Sequence, residues 1–242
     1  AGMRDMTFML SWHLSRAGFR VTSFDRPGHG YSDRAPVEGW RPATQARILH
    51  AAAMQIGAAD GAAVLGHCWG ASVALAWGLL APRDTRGIVC VSGLTMPWGQ
   101  AEGTLADMWS SPFAAAKGIA ARFAVGVDNG RRVAGLLFRP QDPPAGYLNH
   151  VGGRLTLRDA NFKAAAEDVD RLHEALEEQV PLYPSLTVPT RILHGAQDRI
   201  ALPAIHAVGL DAALPDASCT LMDGAAAAAF FDAGPHTLSL TM

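Results

Sequence analysis

Apolar positions along the chain fall into two alternating patterns. Short β-rich runs read as strands: Phe19-Arg20-Val21-Thr22-Ser23-Phe24, Ala62-Ala63-Val64-Leu65, Gly87-Ile88-Val89-Cys90-Val91-Ser92, Thr190-Arg191-Ile192-Leu193 and Ser218-Cys219-Thr220-Leu221-Met222. Stretches with helical spacing accompany them, at Met6 to Ala17 (closed by Gly18), Pro42 to Ile56 and Ala71 to Leu80. The last of these is apolar on most sides, so it is expected to be buried. Alternation of this kind predicts an α/β architecture, a mostly parallel sheet flanked by helices.

The rhythm breaks at residues 96–188, a stretch far too long for a loop. A helical lid or cap is expected there, dividing the chain into a first core part (1–95), the insert (96–188) and a second core part (189–242). Within the insert, Phe162, Ala165, Val169, Leu172 and Leu176 recur at helical spacing with Glu167, Asp168, Asp170 and Glu174 between them. That pattern predicts an amphipathic helix with one packed face, and core packing is its plain reading. Pro140, Pro143, Pro144 and Gly146 cut the insert into pieces.

An apolar fraction of 49% with 17% charged residues is globular. The formal charge of −2 offers no clustered cationic surface for nucleic acid, leaving small molecules as the expected partners. Cys68, Cys90 and Cys219 are widely spaced and lack the C-x-x-C pairing of a metal site, which fits a reducing compartment. Ala1-Gly2-Met3-Arg4-Asp5 does not open a signal peptide, and no apolar stretch reaches the ~20 residues of a membrane span. The expectation is a soluble cytoplasmic protein with no membrane, metal or cofactor; the sequence does not specify an oligomeric state.

Chemistry concentrates at Val64-Leu65-Gly66-His67-Cys68-Trp69-Gly70-Ala71-Ser72, where a strand runs into a helix through Gly-x-Cys-x-Gly. This is the G-x-S-x-G elbow with sulfur in place of oxygen. The turn is tight, so its flanking positions must be small, and the nucleophile takes a strained conformation that projects it above the sheet. A helix N-terminus beneath the thiol is expected to lower its pKa, and the Trp69 N–H to serve as an oxyanion donor. The alternative for a lone cysteine is a small buried hydrophobe, which suits Cys90 and Cys219 within their apolar strands.

Phe24-Asp25-Arg26-Pro27-Gly28-His29-Gly30-Tyr31-Ser32-Asp33, the elbow, the insert, and Pro189-Thr190-Arg191-Ile192-Leu193-His194-Gly195-Ala196-Gln197-Asp198 occur in an order that resembles α/β-hydrolases related to esterases, epoxide hydrolases and haloperoxidases. The resemblance covers nearly the whole chain and implies the α/β-hydrolase fold. It also implies that Asp198 is the triad acid that orients a histidine. Read alone, Asp198 followed by Arg199 suggests a surface ion pair or a capping carboxylate; its position at a strand end favours the triad. His29, His67 and His194 match structural positions of that family, while His13, His50, His150, His173 and His206 stand in helical or lid contexts.

Three departures from the family accompany the likeness. The chain begins where the family has already completed three strands and the His-Gly turn that supplies a second oxyanion donor, of which Ala1 and Gly2 are the expected remnant. A strand missing beside the elbow strand would leave a gap in the sheet, or the sheet would close up. The family's Gly-x-Gly-His places Ala227 at the base position, and the other downstream histidine, His236, lies nine residues later in a chain that ends without the usual closing helix. The third departure is the thiol itself, which needs less help from a base than a hydroxyl does.

The function implied is hydrolysis of small carboxylic esters or thioesters through a covalent acyl-enzyme on Cys68, with His236 as base and Asp198 orienting it. Trp98, Met108, Trp109, Phe113 and Phe123 would shape an apolar pocket under the lid, with plain packing as the alternative. Two other functions stay open: a catalytically degenerate relative that binds an apolar ligand, and a cysteine-dependent acyltransferase.

Overall fold

The structure, a computed structural model, describes residues 11–98, 135, 138, 142, 143, 145–147, 149 and 158–225. Helix α1 (Trp12–Arg16) ends at Gly18, whose φ of 91° turns the chain. Helix α2 spans Pro42–Gln55, with proline at its first turn, where no N–H is needed. Then come β1 (Ala62–His67), α3 (Trp69–Leu80) and β2 (Thr85–Val91). Helices α4 (Asp159–Asp170) and α5 (Leu172–Gln179) and a 3-10 turn at Val180–Ser185 precede β3 (Thr190–Gly195), α6 (Pro203–Ala213) and β4 (Ala217–Met222).

The four strands form one parallel sheet in the order β1-β2-β3-β4. Parallel ladders keep all strand C-termini at one end, so His67 pairs with Val91 and Val91 with Leu193 at the edge from which the elbow departs. Helix α3 is buried along most of its length, as its apolar sequence requires: Trp69 and every residue from Ala71 to Gly78 are shielded. One core layer sets Leu75 of α3 against Ile88, Cys90, Ile192 and Leu210; another sets Trp69, Val73 and Trp77 against Ala46, Leu172 and Leu176.

Two sequence expectations need correction. Phe19–Phe24 forms no regular element and joins no ladder among the described residues; a strand exists only where a neighbour takes its N–H and C=O groups. The amphipathic stretch around Val169 is two helices broken at Arg171, and their buried positions are Asn161, Ala164, Asp168, Leu172, Ala175, Leu176 and Gln179. Phe162, Ala165 and Val169 are only partly buried. The inward face of α4 thus carries a carboxylate where the apolar stripe pointed elsewhere.

Candidate active site

Cys68 stands between β1 and α3 with φ 53° and ψ −122°, a conformation that a non-glycine residue adopts only under constraint. The constraint is visible on both sides. The Cys68 N–H donates to the Val91 carbonyl at 3.0 Å, and the Cys68 carbonyl accepts from Leu94 at 3.1 Å and Ala71 at 3.1 Å. Gly66 is obligatory, since a Cβ there would lie 2.2 Å from the Gly70 carbonyl oxygen. Gly70 differs: a Cβ built on it meets nothing within 4 Å. The tightness expected at both glycines therefore belongs to Gly66.

Burial pushes the Cys68 thiol above its ordinary value, and Asp198 adds to the rise, while the Trp69 backbone N–H against the sulfur and the Arg26 cation pull the other way. This overturns the expected lowering. A helix N-terminus favours the thiolate, but here the loss of solvent outweighs it. Cys90 is fully buried, its thiol pushed up to about 12 by burial alone, and reads as a small core hydrophobe. Cys219, on β4, the outer strand among the described residues, is partly exposed and also raised by burial.

Asp198 lies just past the C-terminal end of β3, only 3% exposed. One carboxylate oxygen, Oδ1, accepts from the N–H of Ile200 at 2.8 Å and of Ala201 at 3.0 Å, which fixes the side chain. The other, Oδ2, is buried with no hydrogen-bond donor among the described residues. His194 Nε2 is 3.4 Å from it but donates to the Ala201 carbonyl at 2.7 Å. A buried carboxylate anchored by one oxygen, with the other bare, can orient an imidazole. Asp198 thus caps the turn after β3 through Oδ1, while Oδ2 stays a buried acceptor.

Trp98 is partly buried against the core layer that also contacts Cys68, with its ring edge-on to His173 at 5.2 Å and to His206 at 5.9 Å. His206 is buried, and its Nδ1 accepts from the N–H groups of Thr95 and Met96, both at 3.3 Å. Burial, followed by the neighbouring His194, lowers its pKa to about 4, against a raising pull from Asp198. It is thus a neutral packed imidazole, as its helical context implied. Gly2, Trp109, Ala227 and His236, with Met108, Phe113 and Phe123, lie outside the described residues. A groove of about 350 Å³ opens elsewhere, between Arg41, Arg47, Leu79 and Leu182, lined by none of the residues around Cys68.

The feature missed in the sequence is Asp168. Its side chain is 2% exposed, with Oδ2 2.8 Å from both Arg26 Nη1 and His29 Nε2, and Oδ1 2.7 Å from Arg34 Nη1. Gln45 completes the cluster, accepting from Arg26 at 2.8 Å and donating to Asp168 Oδ1 at 3.4 Å. Burial opposes the charge on Asp168, yet the hydrogen bonds and charges of His29 and Arg26 outweigh it and hold the carboxyl below its ordinary value. No local charge imbalance signalled it, since Arg26 and Arg34 share their loop with Asp25 and Asp33, and only the added imidazole of His29 exceeds that balance.

Among the described residues no group of acidic, histidine and cysteine side chains could hold a metal ion, and no helix is long and apolar enough to cross a membrane. The sequence is 27% identical over 219 residues to polyketide synthase ThaQ of Burkholderia thailandensis, an alignment covering 88% of this chain. The chain spans about a tenth of that relative's length, 10%. Similar solved structures include a bromoperoxidase from Bacillus anthracis (TM-score 0.77, 17% identity, 99% of this chain and 86% of that one). An esterase from Exiguobacterium antarcticum is another (TM-score 0.69, 17% identity, 96% and 83%). The family profile for the alpha/beta hydrolase fold matches residues 1–234, and with the elbow geometry and the parallel sheet in place, the chain belongs to the α/β-hydrolase fold family.

Proposed function

We propose that the protein hydrolyses small carboxylic esters or thioesters through a covalent acyl-enzyme on Cys68. The observation that carries this reading is the constrained Cys68 backbone at the C-terminal end of β1, in the turn that opens α3. In the proposed reaction the thiol gives its proton to the base and the sulfur bonds to the acyl carbon. The resulting oxyanion accepts from the Trp69 N–H. The C–O or C–S bond to the leaving group then breaks, and the leaving group takes the proton. Water then gives a proton to the base and bonds to the acyl carbon, the C–S bond breaks, the carboxylic acid leaves, and the sulfur takes the proton back as the free thiol. His236 is the proposed proton carrier, oriented by Asp198 Oδ2, and Trp98 and Trp109 line the proposed acyl pocket.

Release of p-nitrophenol from short acyl esters is the expected activity, and Cys68→Ala should abolish it; unchanged turnover in that variant would remove Cys68 from the mechanism. His236→Ala should lower kcat far more than changes at His173 or His206, and equal effects would refute the base assignment. A second reading, an apolar-ligand-binding protein without turnover, is favoured by Ala227 in the family's base register and by the raised thiol. Ligand binding with no burst of p-nitrophenol would select it. Transfer to an alcohol or thiol instead of water would mark an acyltransferase.

A further inference from the structure

We propose that Asp168, on the insert helix α4, is a positioning residue that fixes Trp69 and through it the backbone N–H beside the Cys68 sulfur. This rests on the reading of Cys68 as nucleophile. Asp168 holds the Trp69 indole in two ways. Its main-chain carbonyl accepts the indole Nε1–H at 3.0 Å, in a bond that is buried. Its carboxylate grips Arg26, whose guanidinium carbon sits 4.2 Å from the centroid of the Trp69 ring. The edge and the face of one indole are therefore set by a single residue lying 99 positions away in sequence.

The link to chemistry is short. Trp69 is the first residue of α3 and follows Cys68 directly, so its N–H belongs to the peptide bond that joins the two residues, and a shift of the anchored ring is passed to that bond. A displacement of about 1 Å at such a donor costs as much as 100-fold in rate. A buried carboxylate is also an expensive way to attach a helix, and an apolar side chain would pack as firmly. What an apolar side chain lacks is the ability to orient Arg26, His29, Arg34 and Gln45 together. Glu167, next to it in sequence, binds only the outer side of Arg34, at 2.6 Å, from an exposed position.

The test compares Asp168→Asn, Trp69→Phe and Glu167→Gln with the parent protein. On p-nitrophenyl butyrate, Asp168→Asn should lower kcat at least tenfold and Trp69→Phe at least threefold, with KM within twofold in both; Glu167→Gln should keep kcat within twofold. A folded Asp168→Asn with parental kcat, or a tenfold loss in Glu167→Gln, overturns the proposal. Should Asp168→Asn not fold, Trp69→Phe decides alone, since it removes the indole N–H and leaves the carboxylate cluster intact. Alkylation of Cys68 by iodoacetamide, followed by mass, needs no turnover and should change at least threefold in the same two variants. A parental alkylation rate overturns the positioning role even if Cys68→Ala shows that turnover belongs to another residue.

Discussion

Cys68 carries two opposed demands. Its backbone is held in a conformation that only surrounding bonds sustain, and its thiol is pushed toward the neutral form by the same close packing that supplies those bonds. Gly66 is where that packing is most exacting. Gly66→Ala would bring a methyl carbon to 2.2 Å from the Gly70 carbonyl oxygen and 2.5 Å from its carbon, so the main chain must move. The expected cost is roughly 1–3 kcal/mol in urea unfolding, in the range of overpacked cores. Gly70→Ala is the contrast, because the added methyl meets nothing and the residue lies inside α3. It should leave stability unchanged or raise it by about 0.5–1 kcal/mol through helix propensity. Equal losses in the two variants would show that the elbow is not limited at Gly66.

At the scale of elements, the sequence was most legible where the pattern is local. The strand at Ala62–His67, the buried helix after it and the strand at Thr190–Gly195 follow from apolar runs and flanking glycines, and the place of Asp198 beyond a strand end is legible in the same way. Where partners lie far away, the local pattern misleads. Phe19–Phe24 has the composition of a strand but no ladder among the described residues, and composition cannot supply a neighbour. Asp168 stands among the polar positions of an amphipathic stretch, where a carboxylate ordinarily faces water. It is buried because Arg26, His29 and Arg34 come to it across more than 130 residues. The break at Arg171, with φ −98° and ψ −1°, is likewise hidden in the spacing, since the stripe runs on through Leu172 and Leu176 without a proline or glycine.

For the whole molecule, the shifted groups define a window of pH in which the fold is most stable. His206 joins α6 to the loop after β2 as a neutral acceptor, with its pKa lowered to about 4 from 6.5. The unfolded chain takes up that proton at higher pH than the folded one, so stability falls as pH drops from 6.5 toward about 4, by roughly 3 kcal/mol. Asp168 adds a second acid loss, because a lowered carboxyl stabilises the fold above its unfolded value of 3.8 and loses that contribution as pH falls through its folded value. On the alkaline side Cys68 and Cys90 are raised above 9.0, so the stabilisation their protonated forms carry is present below that value and is lost as pH climbs through their folded values. Tm against pH should therefore run flat from about 6.5 to 9 and fall on both sides. His206→Asn assigns the first acid step, since its amide oxygen can take the place of Nδ1 toward Thr95 and Met96 without titrating. That variant should lose Tm less steeply than the parent from pH 6.5 down to about 4, the remaining slope belonging to His29, whose imidazole is also lowered by burial, while an acid slope equal to the parent's would place the sensitivity in other groups.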